Sequence, residues 1–167
     1  MHGEKIHFEV LGRSRKALAP GDLFTFSIKT RGYFFGRVIS PSMPEDHPLT
    51  SSACLIYIYA FENSEKRIDL QSIDVRSFLI PPLFTNRRPW TMGYFQVLEN
   101  IPLTQRDVLE KHCFWDVPFD RYVDEMGCLV EKKIEPCGSF GLASYYGISE
   151  EIGEALGLPV IAGPEDY

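Results

Sequence analysis

The feature that constrains this fold most is an almost unbroken apolar and aromatic run of nine residues, Ala53–Phe61. Successive side chains of a strand point to opposite faces of a sheet, so a strand without polar positions has both faces covered. The run is much shorter than the roughly 20 apolar residues that a membrane-spanning helix needs. It therefore predicts a central strand that is covered on both faces, and no stretch of the chain predicts a membrane span.

A β-hairpin is predicted just before this strand. Between residues 24 and 29, aromatic and aliphatic residues alternate with polar ones, which is the period of a strand with one buried face. Gly32 provides the turn, and residues 33–39 form the second strand. Gly36 lies inside that second strand and predicts a bulge or a tight bend, a device by which small sheets curl.

The rest of the chain predicts shorter elements. Residues 78–84 contain two prolines, which cannot donate to a strand ladder, so they predict an edge or bulged strand. Loops and further elements follow from composition: a Pro-rich loop at 40–52, a short helical or irregular segment at 68–75, a polar loop at 85–90, strands at 93–98, 114–115 and 127–134, and a polar-aromatic loop at 119–125.

A short C-terminal helix completes the prediction. Ser149 provides a capping hydroxyl, two glutamates follow it, and Gly157 with Pro159 ends the helix. The predicted fold class is α+β and mostly β: a small curled antiparallel sheet or an SH3-like barrel with a short C-terminal helix. The chain length and its aromatic content predict one domain over residues 1–167.

The charge is acidic and unevenly distributed. The net charge is −6, but residues 1–40 hold seven Lys/Arg against three Asp/Glu, so the remainder carries the acidic excess. Because phosphate binding needs Lys and Arg, this balance disfavours a nucleic-acid partner and favours a basic protein. The N-terminus shows no apolar segment of the kind that directs secretion, so we expect a cytoplasmic protein.

Candidate reactive groups each have a structural explanation. The four cysteines, Cys54, Cys113, Cys128 and Cys137, contain no C-x-x-C spacing; the strand-like contexts of Cys54 and Cys128 suit buried thiols in a reducing compartment. A nucleophile could be formed only by Cys113 or Ser144 with His112, a pairing that chance readily provides. We therefore expect no enzyme activity, no metal and no cofactor.

One acidic stretch is the candidate for partner contact. It contains Asp116, Asp120, Asp124 and Glu125 but lacks the ligand pattern and the glycine of an EF-hand loop. It can be a solvated acidic loop, or it can be a contact surface for a basic partner.

Several motifs together resemble the immunity protein 26 family. The hairpin opens with Gly21-Asp22-Leu-Phe and continues as Gly32-Tyr-Phe-Phe-Gly36-Arg-Val, and a later block contains Trp90 and Gly93-Tyr-Phe. The resemblance is strongest over residues 20–116 and marks Gly21, Asp22, Gly36, Trp90 and Gly93 as structural positions.

The resemblance implies a bacterial immunity protein that binds and neutralises a cognate polymorphic toxin, without catalysis. The alternative is a small-barrel RNA-binding or ribonuclease-like module, because a G-D-x-[FV] hairpin also opens such barrels. That alternative requires a positive groove near Arg87 and Arg88. Loop anchoring by these arginines, with Trp90 packed on the end of the barrel, is the simpler interpretation.

Overall fold

The computed structural model describes residues 5–161, which form ten strands and two α-helices. In chain order these are β1 (Asp22–Ser27), β2 (Tyr33–Ser40), β3 (Cys54–Asn63), β4 (Phe78–Thr85), α1 (Arg88–Thr91), β5 (Gln96–Asn100), β6 (Cys113–Asp116), β7 (Arg121–Val123), β8 (Leu129–Val130), β9 (Cys137–Ser139), β10 (Leu142–Ala143) and α2 (Tyr145–Ala155), with a 3-10 turn at Val117–Phe119. Neither helix of this described part has the length and apolar character that crossing a membrane would require.

The strands form two open sheets. The first sheet has the order β10-β4-β3-β2-β1-β5, and the second has the order β8-β7-β6-β9. Pairing is antiparallel except for β10 with β4 and β6 with β9, which are parallel. The α+β, mostly β prediction is confirmed, whereas the barrel alternative is not formed over residues 5–161: β5 and β10 remain the edges of the first sheet.

The predicted central strand is confirmed as β3. It lies between β2 and β4, and its residues 54–59 are all buried. Ile56 and Ile58 belong to one hydrophobic cluster, with aromatic residues of β1 and with α2, while Tyr57 and Tyr59 belong to a second cluster on the other face. The prediction that this continuous apolar run forms a strand buried on both faces is therefore confirmed.

The hairpin of β1 and β2 is confirmed, but the prediction of one buried face is wrong. Thr25 and Ser27 are buried as well, because the second hydrophobic cluster covers the other face. The Thr25 hydroxyl is satisfied inside the protein by donating to the carbonyl oxygen of Phe34 at 2.7 Å. In the turn it is Thr30, at φ 71°, and not Gly32 that takes the left-handed conformation.

Two glycines of the predicted motif are required by their surroundings. The pairing of β2 with β3 shifts register between Phe34 and Gly36, which confirms the predicted bulge. A Cβ on Gly36 would overlap the Phe24 ring and the Tyr57 carbonyl. Gly21 has φ +88°, a conformation that favours glycine, and a Cβ there would overlap the backbone at Ile101.

Three boundary predictions in the middle of the chain are wrong. The predicted loop at 85–90 contains the start of α1, where Oδ1 of Asn86 accepts a hydrogen bond from the Arg88 amide at 2.9 Å and Pro89 needs no hydrogen bond in the first turn. The strand predicted from residue 93 begins only at residue 96. The predicted loop at 119–125 contains β7, whose Val123 is fully buried between the sheets.

The C-terminal helix is confirmed, but it begins earlier than predicted. Ser144 is its N-cap, and its Oγ accepts a hydrogen bond from the Gly147 amide at 3.1 Å. Ser149 lies inside the helix, where its Oγ accepts from the His7 amide at 2.9 Å. Tyr145 and Ile148 extend the buried face of the helix toward its N-terminus, so tertiary packing sets the first turn.

Candidate partner-binding site

The second sheet carries all four acidic residues predicted as contacts. Its inner face packs on the first sheet through a third hydrophobic cluster that includes Phe114 and Val123. Its outer face presents Trp115 and Tyr122, which are partly exposed and whose ring centroids lie 4.8 Å apart. The small sheet is therefore fixed by one face and leaves the other face accessible.

Asp116 and Asp120 lie at the turn between β6 and β7. Asp116 is only 6% exposed, and its carboxylate accepts a hydrogen bond from Nε of Arg121 at 3.1 Å. Asp120 is exposed and follows the 3-10 turn with φ 51°. Of these two carboxylates, only that of Asp120 is presented to solvent.

The same turn exposes two apolar side chains. Val117 is 66% exposed and Phe119 is 69% exposed. The guanidinium carbon of Arg121 lies 4.8 Å from the centroid of the Phe119 ring, which is cation-π distance. Residues 117–120, called the β6–β7 turn below, thus combine an exposed aromatic ring with an exposed carboxylate.

Asp124 closes the turn that follows β7. Its Oδ1 accepts hydrogen bonds from the amides of Met126 at 2.9 Å and Cys128 at 3.0 Å. An aspartate that bonds backbone amides two and four residues later stabilises its own turn. Asp124 therefore has a structural role, whether or not it also contacts a partner.

Glu125 is held from two sides by histidines. Nε2 of His47 lies 2.7 Å from its carbonyl oxygen, and Nδ1 of His112 lies 3.3 Å from its carboxylate. His112 is in turn held by the Tyr57 hydroxyl, 2.6 Å from its Nε2, and that hydroxyl accepts from the Leu109 amide at 3.1 Å. A neutral imidazole satisfies these contacts as the tautomer in which Nδ1 of His112 donates to Glu125 and Nε2 accepts from Tyr57.

The pKa values of Glu125 and Tyr57, two groups in this series of hydrogen bonds, are shifted in opposite directions. The bond from His112 lowers the pKa of the Glu125 carboxyl, and burial opposes this change. Burial raises the pKa of the Tyr57 phenol to about 12, although the Leu109 amide opposes this shift. Glu125 is thus an ionised carboxylate in a fixed orientation at neutral pH, and Tyr57 is a neutral hydrogen-bond donor.

Glu125 lines a surface groove of about 640 Å³ beside β8. The groove has four carboxylates and two ammonium groups among its lining residues, together with the apolar Leu129, Val130 and Ile134; the charged residues are Glu110, Lys111, Asp124, Glu125, Glu131 and Lys132. We call this the acidic groove. The structure therefore places Asp124 and Glu125 in the groove, Asp120 in the β6–β7 turn, and Asp116 at the end of β6 just before that turn.

A basic surface lies elsewhere on the molecule and was not predicted. Nη2 of Arg87 bonds the carbonyl oxygens of Arg15 at 3.1 Å and Lys16 at 2.9 Å, which brings two distant segments together. Arg13 and Arg88 add two more exposed cations, and we call these five residues the basic cluster. The prediction that Arg87 anchors a loop agrees with these bonds. The sequence does not show that the group at 13–16 meets the group at 87–88, because the two groups are about 70 positions apart.

A buried ion pair was also missed. Arg37 is fully buried, donates to the carbonyl oxygens of Gly21 at 3.0 Å and Ile101 at 2.6 Å, and lies 3.4 Å from Asp107. Two backbone carbonyls and a carboxylate satisfy the guanidinium, which attaches the segment after β5 to the first sheet. The Gly-Arg-Val motif contained the signal, although an arginine in a strand does not reveal whether it is buried.

The remaining motif residues also have structural surroundings. Asp22 accepts from the Ala19 amide and from the Asn100 side chain, both at 2.9 Å. Trp90 is 3% exposed and its ring meets Phe95 edge-on, so it lies in the main core. The carbonyl oxygen of Gly93 accepts from the amides of residues 11 and 12.

The groups that could form a nucleophilic site are engaged elsewhere. His112 bonds Tyr57 and Glu125, the Ser144 hydroxyl caps α2, and Cys113 lies against Cys137. Across residues 5–161 there is no group of three or more His, Cys, Asp or Glu side chains arranged to hold a metal ion. The cysteine prediction is half right, since Cys54 is buried and Cys128 is exposed.

The fold and the site define a class of protein: a mostly β protein whose candidate site is an open, charged surface. A family model described as Immunity protein 26 matches residues 19–126, which is more than half of the chain, so the chain belongs to the Immunity protein 26 family. The match includes all four predicted contact residues and ends before β8. The searches of curated proteins and of solved structures found no match.

Proposed function

We propose that this immunity protein neutralises a cognate bacterial toxin by binding it, without catalysis, in the cytoplasm of the cell that produces both proteins. Membership in the Immunity protein 26 family carries this proposal. The proposed contact surface is the acidic groove together with the β6–β7 turn. A toxin with a basic contact surface complements the groove, in which carboxylates outnumber ammonium groups.

The physical support is the combination of aromatic and acidic groups on a rigid support. Interface energy is concentrated in a few well-anchored side chains, among which aromatic residues and arginine are common. Phe119 and Arg121 form such a pair at the turn, and Asp120 lies between them in sequence. Glu125 is already oriented by His112, so less side-chain entropy is lost when a partner binds it.

The decisive experiment is co-expression with the toxin encoded next to this gene. We expect growth to be rescued and the two proteins to co-purify as a stoichiometric complex. If growth is not rescued and no complex forms, the proposed function is wrong.

The contact surface is tested by reversing one exposed charge. We expect Asp120→Arg to slow association with the toxin about tenfold at low salt, since a steering charge acts mainly on the association rate. The matched control is Glu99→Arg on the exposed part of β5, which should leave the rate nearly unchanged. Surface-plasmon kinetics at two salt concentrations measure both variants. Equal rates for the two variants would remove the β6–β7 turn from the contact surface.

The second candidate function, RNA binding, is favoured by the basic cluster. A nucleic-acid surface needs several cations, and the structure joins Arg87 to the backbone of the exposed segment that holds Arg15 and Lys16. We expect the protein to retain labelled single-stranded RNA weakly at low salt and to lose it in the Arg87→Glu, Arg88→Glu double variant. Gel-shift titrations measure the retention. RNA cleavage, or retention that persists in the double variant, would contradict this account of the cluster.

A further inference from the structure

Two cysteines meet across the second sheet. Cys113 on β6 and Cys137 on β9 are direct partners in the parallel pair, and their sulfur atoms lie 3.5 Å apart. A disulfide bond needs a sulfur separation of about 2.05 Å and Cα atoms about 4.4 to 6.8 Å apart. Neighbouring strands are about 4.8 Å apart, so the backbone is already in this range and only the side chains must move.

The two thiols differ in access to solvent. Cys113 is 2% exposed, and its sulfur accepts the Ile134 amide at 3.4 Å. Cys137 is partly exposed, so a small reagent reaches it first. We propose that Cys113 and Cys137 form an oxidisable dithiol, which low-molecular-weight disulfides convert into an intramolecular disulfide bond between β6 and β9.

The reaction is a two-step thiol–disulfide exchange. The Cys137 thiolate attacks one sulfur of the reagent RSSR, which forms a Cys137–S–S–R mixed disulfide and releases one thiol, RSH, after protonation. The Cys113 thiolate then attacks Sγ of Cys137 and releases the second RSH. The protein loses two electrons and two protons, and the reagent is reduced to two thiols.

The environment makes this exchange slow at neutral pH. Burial, and then the contact with Cys113, raise the pKa of the Cys137 thiol to about 11. Only the thiolate attacks a disulfide. At pH values below that pKa, the rate should therefore rise about tenfold for each unit by which the pH is raised. The pair therefore differs from the low-pKa cysteines of rapid redox sensors, and it responds to prolonged oxidation.

The position of the pair links it to the candidate contact surface. The two cysteines are 24 residues apart, and the chain between them contains β7, β8, the β6–β7 turn and part of the acidic groove. A disulfide here would close this segment into a covalent loop. The formation of the bond does not depend on the proposed function, whereas any effect on toxin binding rests on it.

The test oxidises the purified, fully reduced protein with oxidised glutathione near pH 8.5. We expect the intact mass to fall by about 2 Da, a non-reducing peptide map to join Cys113 to Cys137, and Tm to rise by roughly 5 to 10 °C. The Cys128→Ser variant keeps the pair and removes the exposed thiol, so it should behave in the same way.

The control variant is Cys137→Ser, which changes the partly exposed member of the pair. It should form no Cys113 cross-link under the same conditions, and its circular dichroism spectrum in the reduced state establishes that it is folded. The inference is overturned if wild type and Cys128→Ser retain both thiols, if they stop at glutathione adducts, or if the only disulfides found are intermolecular ones. A toxin that fails to bind would leave this mass and peptide result unaffected, so the two proposals fail separately.

Discussion

The two sheets of this protein differ in how their faces are covered. The first sheet is covered on both faces by hydrophobic clusters, and even its threonine and serine positions in β1 are buried. The second sheet is fixed by its inner face, while its turns and outer face carry exposed aromatic and acidic groups. The comparison teaches that the first sheet maintains the fold and that the second presents the surface on which binding is proposed.

The largest expected effect is the difference in stability loss when a phenylalanine is replaced by alanine in the first sheet and at the turn of the second. Phe24 is fully buried on β1 and its ring stacks on Phe95 at 4.8 Å, whereas Phe119 at the β6–β7 turn is 69% exposed. We expect Phe24→Ala to lower the free energy of unfolding by about 3 to 5 kcal/mol and Phe119→Ala by less than about 0.5 kcal/mol. Urea unfolding measures both values. Comparable losses for the two variants would break the comparison.

A smaller loss of stability is expected when the hydrogen bonds that connect the two sheets, from Tyr57 through His112 to Glu125, are weakened. Glu125→Gln removes the carboxylate that His112 binds, and we expect a loss of about 1 kcal/mol at pH 7 after allowing for the partial exposure of Glu125. Because the pKa of Glu125 is lowered in the folded protein, this stabilisation is present above the usual carboxyl pKa and is lost as the pH falls through the lowered value. The difference between wild type and variant should therefore shrink as the pH falls below the usual carboxyl pKa and disappear below the lowered pKa of the folded protein.

Urea unfolding from pH 7 to pH 3 measures this dependence. The matched control is Glu131→Gln, an exposed carboxylate of the same groove, which should behave as wild type at every pH. A difference for Glu125→Gln that stays constant down to pH 3 would show that its carboxylate is not the stabilising group.

The sequence predicted elements well where burial follows a local pattern. The run at 53–61 and the alternation in the hairpin identified β1, β2 and β3, and the glycine in β2 identified the bulge. It failed where pairing partners are distant. Val123 lies in a polar stretch, and pairing with β6 on one side and with β8 on the other makes that stretch a strand. The start of α2 was missed for the same reason, because its first turn depends on core contacts.

The candidate site was predicted as a stretch of chain and not as an arrangement. Asp116, Asp120, Asp124 and Glu125 occur within ten residues, so composition alone identified the region. Their different surroundings could not be inferred. Asp116 is paired with an arginine and Asp120 is exposed, whereas Asp124 closes a turn and Glu125 is held by a histidine. Whether any of the four contacts a partner stays a prediction, as does the single domain over residues 1–167.

The sequence by itself determined the mostly β class, the central strand, the acidic balance and the motifs of the Immunity protein 26 family, because each depends on residues that are close in the chain. Only the tertiary structure decided that Tyr57 orients His112, that Arg87 meets Arg15, and that Cys113 meets Cys137. Such meetings depend on strand order and register, which are set by the packing of the whole chain.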